Sequence, residues 1–286
     1  MLKRVSNVDT RTYNLLSLYS GIAGLELGIS HVIPTRTVAY CEREVSCIRL
    51  LIKRAEEGLL DAAPIYTDVS TCPDSFPEPV DIICAGFPCQ PWSWANTSGV
   101  RGESDERNGW PDTIRIIRAL RPSYVFLENV PNLLNDPYFG TILGELAEAG
   151  FNAEWSCFTG QDINIPQIRE RLFILAYPDE ERLEGRPFRE LRLSDKRISW
   201  KGESGLGDLP LFPPSPADIR GWTQVWKEMP DFKPAICRMA PGISERVAEL
   251  QAYGNSVIPA MGAFAFRTLA KSVEKHMVKT PSHKAS

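Results

Sequence analysis

The chain has 286 residues and a net charge of −4 at pH 7, with 43% hydrophobic and 24% charged residues. This ordinary globular composition provides for a sizeable core in one large domain or two. No apolar run approaches about 20 residues and no apolar leader follows Met1, so we expect a soluble, cytoplasmic protein without a membrane span. Seven irregularly spaced cysteines fit a reducing compartment, and Cys84 and Cys89 lie too far from any His or further pair of Cys to indicate zinc, so we expect no metal.

The predicted elements alternate between apolar β-rich runs and helical stretches as far as residue 177. Strands are predicted at 14–19, 37–41, 80–85, 124–128, 153–158 and 172–177, and helices at 45–57, 111–120 and 139–149. This alternation is typical of parallel strands joined by right-handed crossovers. It predicts an α/β fold, a Rossmann-like, mostly parallel sheet with helices on both faces, for a first domain that spans 1–177.

Residues 178–233 interrupt this pattern with a segment that is rich in charge, glycine and proline and has no sustained periodicity. Between 182 and 201 the segment has seven basic and three acidic residues, a net charge of +4. An acidic protein that binds nucleic acid needs such a local basic surface, although a solvated surface segment would have the same composition. Residues 234–276 are expected to return to the first domain through a helix at 259–275, and 277–286 to form a flexible tail.

Five short motifs contain the residues best suited to binding or catalysis. Three of these motifs lie at or just after the end of a predicted strand. In chain order they are Tyr19-Ser20-Gly21-Ile22-Ala23-Gly24, Pro88-Cys89-Gln90, Glu128-Asn129-Val130, Gln167-Ile168-Arg169-Glu170-Arg171 and Gly254-Asn255-Ser256-Val257. This ordered set resembles the cytosine-5 DNA methyltransferase family, whose members transfer a methyl group from S-adenosylmethionine to carbon 5 of cytosine. The resemblance covers 15–177 and 234–269, and leaves 178–233 in the place of the family's target-recognition region.

A cofactor site is indicated at the first strand-to-helix turn. Glycines at such a turn let the backbone approach a ligand, and Glu42, 21 positions after Gly21, could accept hydrogen bonds from ribose hydroxyls. An exposed surface glutamate is the alternative for Glu42, and a turn residue or helix cap is the alternative for Asp68. The resemblance implies that S-adenosylmethionine is the cofactor and that its binding residues are Tyr19, Gly21, Ile22, Ala23, Gly24, Glu42, Asp68, Asn255 and Ser256.

The resemblance also assigns the catalytic residues. It implies that the Cys89 thiolate adds to carbon 6 of cytosine, which makes carbon 5 nucleophilic. Glu128 would hold the base edge and protonate N3, while Arg171 and Arg169 would contact O2 and support the site, and Asn129 would order it. A structural thiol and a structural buried glutamate are the alternatives. The base must leave the duplex for this attack, and residues 91–102 are expected to form a lid over it.

Three other functions share part of this pattern. A tRNA cytosine-5 methyltransferase would use the same fold and mechanism. A nicotinamide-dependent oxidoreductase would explain Gly21 and Glu42 but would leave Cys89, Glu128 and the arginines without a role. A non-catalytic relative would be expected to have lost Cys89 or Glu128. We therefore expect a monomeric DNA methyltransferase that acts on double-stranded DNA, as in restriction-modification, and chooses its target sequence through 178–233.

Overall fold

The computed structural model describes residues 12–88, 108–163, 169–179 and 257–279, with side chains to 276, and a few isolated positions between 190 and 227. Three of the predicted site residues lie outside this part of the chain: Cys89, Asn255 and Ser256. The expected lid at 91–102 and nearly all of the expected target-recognition region at 178–233 also lie outside it. What the sequence predicts for these residues therefore stays a prediction.

Seven strands form one sheet in the order β3-β2-β1-β4-β5-β7-β6. The strands are β1 (Tyr13–Leu18), β2 (Thr35–Cys41), β3 (Ile65–Tyr66), β4 (Ile82–Ala85), β5 (Tyr124–Asn129), β6 (Phe151–Phe158) and β7 (Arg171–Pro178). The four neighbouring pairs in the part β3-β2-β1-β4-β5 of the sheet are parallel. Strand β7 is antiparallel to both of its neighbours, β5 and β6. The predicted α/β fold with a mostly parallel sheet is confirmed.

The expectation that parallel crossovers continue to residue 177 is wrong at β7. Strands β6 and β7 pair directly, with Phe151 opposite Pro178 and Phe158 opposite Arg171. Two strands that are consecutive in the chain and adjacent in the sheet can pair antiparallel directly, whereas a parallel pair needs a crossover that carries the chain back along the sheet. The reversal places the start of β7 at the same edge of the sheet as the end of β5.

Helices cover both faces of the sheet, as the sequence predicts. They are α1 (Gly24–Ser30), α2 (Val45–Glu56), α3 (Trp110–Leu120), α4 (Tyr138–Glu148) and α5 (Pro259–Lys279), the last of which continues past the boundary at which a tail is expected. Successive strand residues point to opposite faces. Leu16 and Ile83 accordingly pack in a core with α3 and α4, while Leu15 and Ile82 pack in a second core with α1 and α5.

Helix α1 lies against α5 at very short range, and this contact holds the turn that follows β1. A Cβ atom at Gly24 would lie 2.1 Å from the carbonyl oxygen of Val257, and one at Gly28 would lie 2.9 Å from that of Pro259. Real Cβ contacts are not this short, so both positions require glycine. The last helix thereby fixes the start of α1 beside the carboxyl edge of the sheet.

Candidate active site

A cavity of about 700 Å³ opens at the carboxyl ends of the central strands. Its wall includes Gly21 after β1, Glu42 after β2, Gly86 after β4 and Glu128 near the end of β5. The strand order reverses between β1 and β4. In open α/β sheets, ligands bind in the crevice outside the carboxyl ends of the strands at such a reversal.

The turn after β1 has an unusual backbone. Tyr19 and Ala23 have φ angles of 53° and 66°, in the left-handed region that few residues other than glycine adopt, and Gly21 between them has 55°. The Ser20 amide donates to the Cys41 carbonyl at 2.9 Å, which ties the turn to the end of β2. Backbone strain of this kind persists where the surrounding structure enforces it, often at functional sites.

Glu42 joins this turn to the segment that follows β2. Its Oε2 accepts a hydrogen bond from the Gly21 amide at 2.6 Å, and its Oε1 accepts one from the Glu44 amide at 2.7 Å. The side chain is half-buried in the cavity wall and is not a free surface group. A carboxylate can accept about four hydrogen bonds, so these two leave capacity for hydroxyl groups of a ligand.

Asp68 caps a short helix and also lies on the cavity wall. Its Oδ1 accepts from the Ser70 amide at 2.9 Å and from the Ser70 hydroxyl at 2.7 Å, which caps the 3₁₀ helix Val69–Thr71. The hydroxyl bond, followed by the amide bond, lowers the pKa of the Asp68 carboxyl. The ionised side chain lies on the cavity, where it can accept a hydrogen bond from a ligand amino group.

Sequence reasoning missed a buried carboxyl, Glu26, beneath the turn. It lies on α1, is 4% exposed and is hydrogen-bonded to the Ser17 hydroxyl, which in turn lies 2.7 Å from the Ser20 hydroxyl. Burial raises the pKa of Glu26 to about 7, against the opposing effect of the Ser17 bond. The signal in the sequence was a single glutamate among apolar residues on a short helix, because glutamate is seldom buried without a partner.

Glu128 and Arg171 form an ion pair at the cavity. The distance from Arg171 Nε to Glu128 Oε1 is 2.9 Å, and the Glu128 side chain is 12% exposed. Burial raises the pKa of the Glu128 carboxyl, while the charges of Arg171 and then Arg169 act in the opposite direction. Burial and the neighbouring Arg171 lower the pKa of Arg169. The structure therefore brings together three residues that the sequence predicted for one site.

Asn129 holds the chain that leads into Cys89. Its buried side-chain amide donates to the Phe87 carbonyl at 3.3 Å, and its Oδ1 accepts from the Val130 amide at 2.8 Å. Pro88, the residue before Cys89, lies on the cavity wall. Asn129 thus links β5 to the segment that follows β4, which fits an ordering role.

The described residues give two further observations. They contain no cluster of three or more His, Cys, Asp or Glu side chains that could hold a metal ion. No helix among them is both long and apolar enough to cross a membrane. The expected absence of a metal stays a prediction.

A strand-order reversal, a strained first turn and a partly buried carboxyl–guanidinium pair lie together at the carboxyl edge of a Rossmann-like sheet. The model of the C-5 cytosine-specific DNA methylase family matches residues 13–236, and the chain belongs to this family. This result confirms the resemblance that the five motifs indicated.

The individual relatives share less than a third of their aligned residues with this chain. The chain is 30% identical over 173 residues to the Type II methyltransferase M.Bsp6I of Bacillus sp. (strain RFL6), which is 58% of this chain and 53% of that protein. It is also 30% identical over 171 residues to the Type II methyltransferase M.NlaX of Neisseria lactamica, which is 58% of this chain and 52% of that protein. The chain spans about half the length of the curated relatives it matches.

Among solved structures, the Dnmt2 methyltransferase of S. pombe superposes with a TM-score of 0.55 at 15% sequence identity, covering 91% of this chain and 99% of that one. A DNMT2 variant of Spodoptera frugiperda gives 0.50 at 19% identity, covering 66% and 57%. At such identities the likeness shows a shared fold.

Proposed function

We propose that this protein is a DNA cytosine-5 methyltransferase that uses S-adenosylmethionine and forms a covalent adduct through Cys89. The observation that carries the proposal is the partly buried Glu128–Arg171 pair, whose Glu128 lies on the wall of the cavity together with Pro88, the residue before Cys89. Membership of the C-5 cytosine-specific DNA methylase family supports it. The relatives are named Type II methyltransferases, which supports a restriction-modification setting.

The cavity fits the proposed cofactor in size and charge. A volume of about 700 Å³ lies within the range of small-molecule sites, about 300–1,000 Å³. Its wall includes the acidic residues Glu42, Glu44, Asp68, Asp112 and Glu128 against one basic residue, Arg43, and this acidic excess suits a ligand with a cationic sulfonium. When bound, S-adenosylmethionine supplies an electrophilic methyl group.

Two carboxylates on the cavity wall would recognise the nucleoside half of this cofactor. Glu42 would accept from ribose hydroxyls, because its two backbone bonds already orient the carboxylate. Asp68 would accept from the adenine amino group. The backbone of the Tyr19–Gly24 turn, including Ile22 and Ala23, would surround the methionyl half, and Asn255 and Ser256 are predicted to join it.

Glu128 is suited to neutralise the charge that thiolate addition creates. Attack of the Cys89 sulfur on carbon 6 of cytosine places negative charge on the ring, and a proton delivered to N3 removes it. A carboxyl whose pKa burial has raised retains its proton closer to neutral pH. Glu128 would hold N3 and the amino edge of the base while it donates this proton.

The two arginines would act on O2 of the same base, which is next to N3. Arg171 pairs with Glu128, so its guanidinium would lie beside a base held by Glu128, and the charge of Arg169 also acts on the Glu128 carboxyl. A contact to O2 would polarise the ring toward attack at carbon 6. Asn129 would hold Phe87, and with it the nucleophile segment that follows, in position. A water-derived base would take the carbon 5 proton before elimination frees Cys89.

Labelled methyl transfer tests the proposal. The full chain is incubated with radiolabelled S-adenosylmethionine and, separately, DNA without cytosine methylation, tRNA or no acceptor. We expect label on DNA as 5-methylcytosine. Label on tRNA would indicate the related RNA activity, and no label on either acceptor would overturn the proposed function. A monomeric state, a cytoplasmic location and metal-free catalysis remain predictions of the sequence.

A further inference from the structure

The chain before Cys89 and the chain that begins α3 meet at one point. The Gly109 amide donates to the Pro88 carbonyl at 3.4 Å. A Cβ atom at Gly109 would lie 2.6 Å from Cδ of Pro88 and 2.8 Å from both Cζ and Oη of Tyr19. Contacts of this length leave no room for a side chain at Gly109. Three separate parts of the chain therefore converge on a glycine backbone.

Tyr19 reaches this point from the cofactor side. Its hydroxyl donates to the Gly109 carbonyl at 2.8 Å, while the residue itself lies on the cavity wall at the end of β1. The same carbonyl accepts from the Thr113 hydroxyl at 2.8 Å, so the bond also secures the first turn of α3. Burial, with the nearby Asp112 charge, raises the pKa of the Tyr19 hydroxyl and so keeps it a hydrogen-bond donor.

Other contacts hold this region from the opposite side. The Phe87 ring packs on Trp110 with centroids 5.5 Å apart, and the Trp110 indole donates to Glu145 on α4 at 2.5 Å. The Asn108 amide donates to the Tyr138 hydroxyl at 2.7 Å. These bonds attach the region to α4, whereas the Tyr19 hydroxyl attaches it to the cavity in which the cofactor is proposed to bind.

We propose that Tyr19 is a positioning residue for methyl transfer: its hydroxyl holds Gly109 against Pro88 and thereby sets where the nucleophile segment leaves the sheet. The inference rests on the proposed function and gives a role to the Tyr19 hydroxyl, which contact with the cofactor does not require. The aromatic ring can line the cavity without a hydroxyl, so the two roles of Tyr19 are separable. Tyr19→Phe removes the hydrogen bond and keeps the ring.

Tyr40→Phe is the matched control. The Tyr40 hydroxyl also donates to a backbone carbonyl, that of Asp61 at 3.2 Å, and Tyr40 lies on the neighbouring strand away from Pro88 and Gly109. Three quantities are measured for wild type and both variants. They are the dissociation constant for S-adenosylmethionine, the single-turnover rate of DNA methylation at saturating cofactor, and amide hydrogen exchange in peptides covering 108–113.

For Tyr19→Phe we expect a cofactor dissociation constant within about twofold of wild type and a transfer rate about two- to tenfold lower, the range that corresponds to one hydrogen bond. Amide exchange should be faster at 108–113. Tyr40→Phe should match wild type in all three measurements. The exchange measurement tests the contact itself, without turnover.

Two rate results would overturn the inference: a Tyr19→Phe variant that methylates at the wild-type rate, or one whose transfer rate at saturating cofactor falls no further than that of Tyr40→Phe. Unchanged exchange at 108–113 would also contradict it. A wild-type protein that methylates neither DNA nor tRNA would overturn the proposed function instead, and with it the reaction in which Tyr19 is placed. An active wild type with an unaffected Tyr19→Phe variant overturns this inference alone.

Discussion

Arg171 donates to Glu128 across 2.9 Å because β7 starts where β5 ends. The antiparallel ladder sets Glu128 opposite Phe173, so Arg171 at the head of β7 falls beside the carboxyl edge of the sheet. A parallel β7 would begin at the far edge, a strand length away from Glu128. The strand reversal that the sequence did not predict is therefore what assembles the pair.

The pH dependence of methyl transfer should report Glu128. If its protonated form is the acid, the single-turnover rate should fall as pH rises through the raised pKa of Glu128. Arg171→Gln removes a charge that lowers this pKa, so the alkaline limb should move to higher pH, whatever the loss in maximal rate.

Glu128→Gln should keep cofactor affinity and lose about 10²–10⁴-fold in rate, the usual contribution of a positioned acid. Glu154→Gln is the control, since Glu154 also contacts a basic side chain, with its Oε1 2.9 Å from Nδ1 of His276, but lies outside the cavity. An alkaline limb that stays in place in Arg171→Gln would show that Glu128 is not the titrating acid.

Glu42 should govern cofactor affinity without affecting the chemical step. Glu42→Ala removes the acceptor proposed for ribose hydroxyls and the bond from the Gly21 amide, and it should weaken binding of S-adenosylmethionine by about 1–3 kcal/mol. Titration calorimetry measures this, with the exposed Glu56→Ala as the control. An unchanged dissociation constant would place the ribose contact elsewhere.

Glu26 should make the folded state less stable as pH rises from about 4.5 to about 7. Burial raises its pKa from 4.5 to about 7, with Glu42 and Arg54 as the nearby charges, so the folded state holds a proton that the unfolded state has released. The free energy of unfolding should decrease across this interval, by on the order of 3 kcal/mol from this group.

Glu26→Gln should remove this component, so that urea unfolding at pH 5 and pH 8 gives a smaller difference than in wild type. Glu56→Gln, on the exposed face of α2, should leave the difference unchanged. Equal pH dependence in wild type and Glu26→Gln would mean that Glu26 titrates normally.

The sequence predicted the central strands better than it predicted the sheet edge. Apolar β-rich runs identified β1, β2, β4 and β5, and chain order then put Glu42 and Glu128 at the carboxyl ends of β2 and β5. The direction of β7 depends on which edge remains available after β5 forms, which local pattern does not encode. The burial of Glu26 was not predicted because its hydrogen-bond partner, Ser17, lies nine positions away on another element.

Target choice should lie in 178–233, the segment with the net-basic stretch. Phosphate contacts from its arginines would make binding salt-dependent, and a smaller set of side chains would distinguish base edges. Its size favours a short target of about four to five base pairs, the reach of one small groove-reading element.

Expression in a host without cytosine methylation, followed by sequencing of the modified sites, gives the target. Replacing 178–233 with a relative's segment should change it, and an active chimera with the original target would refute this assignment.

Covalent trapping at Cys89 tests the central claim most directly. A DNA duplex with 5-fluorocytosine in the methylated position blocks removal of the substituent at carbon 5, so the adduct should persist as a protein–DNA complex that survives denaturation. Mass spectrometry should locate the bond at Cys89, and Cys89→Ala should bind S-adenosylmethionine as wild type does without trapping DNA or methylating it. A Cys89→Ala protein that still traps the fluorinated duplex, or methylates DNA near the wild-type rate, would contradict the account.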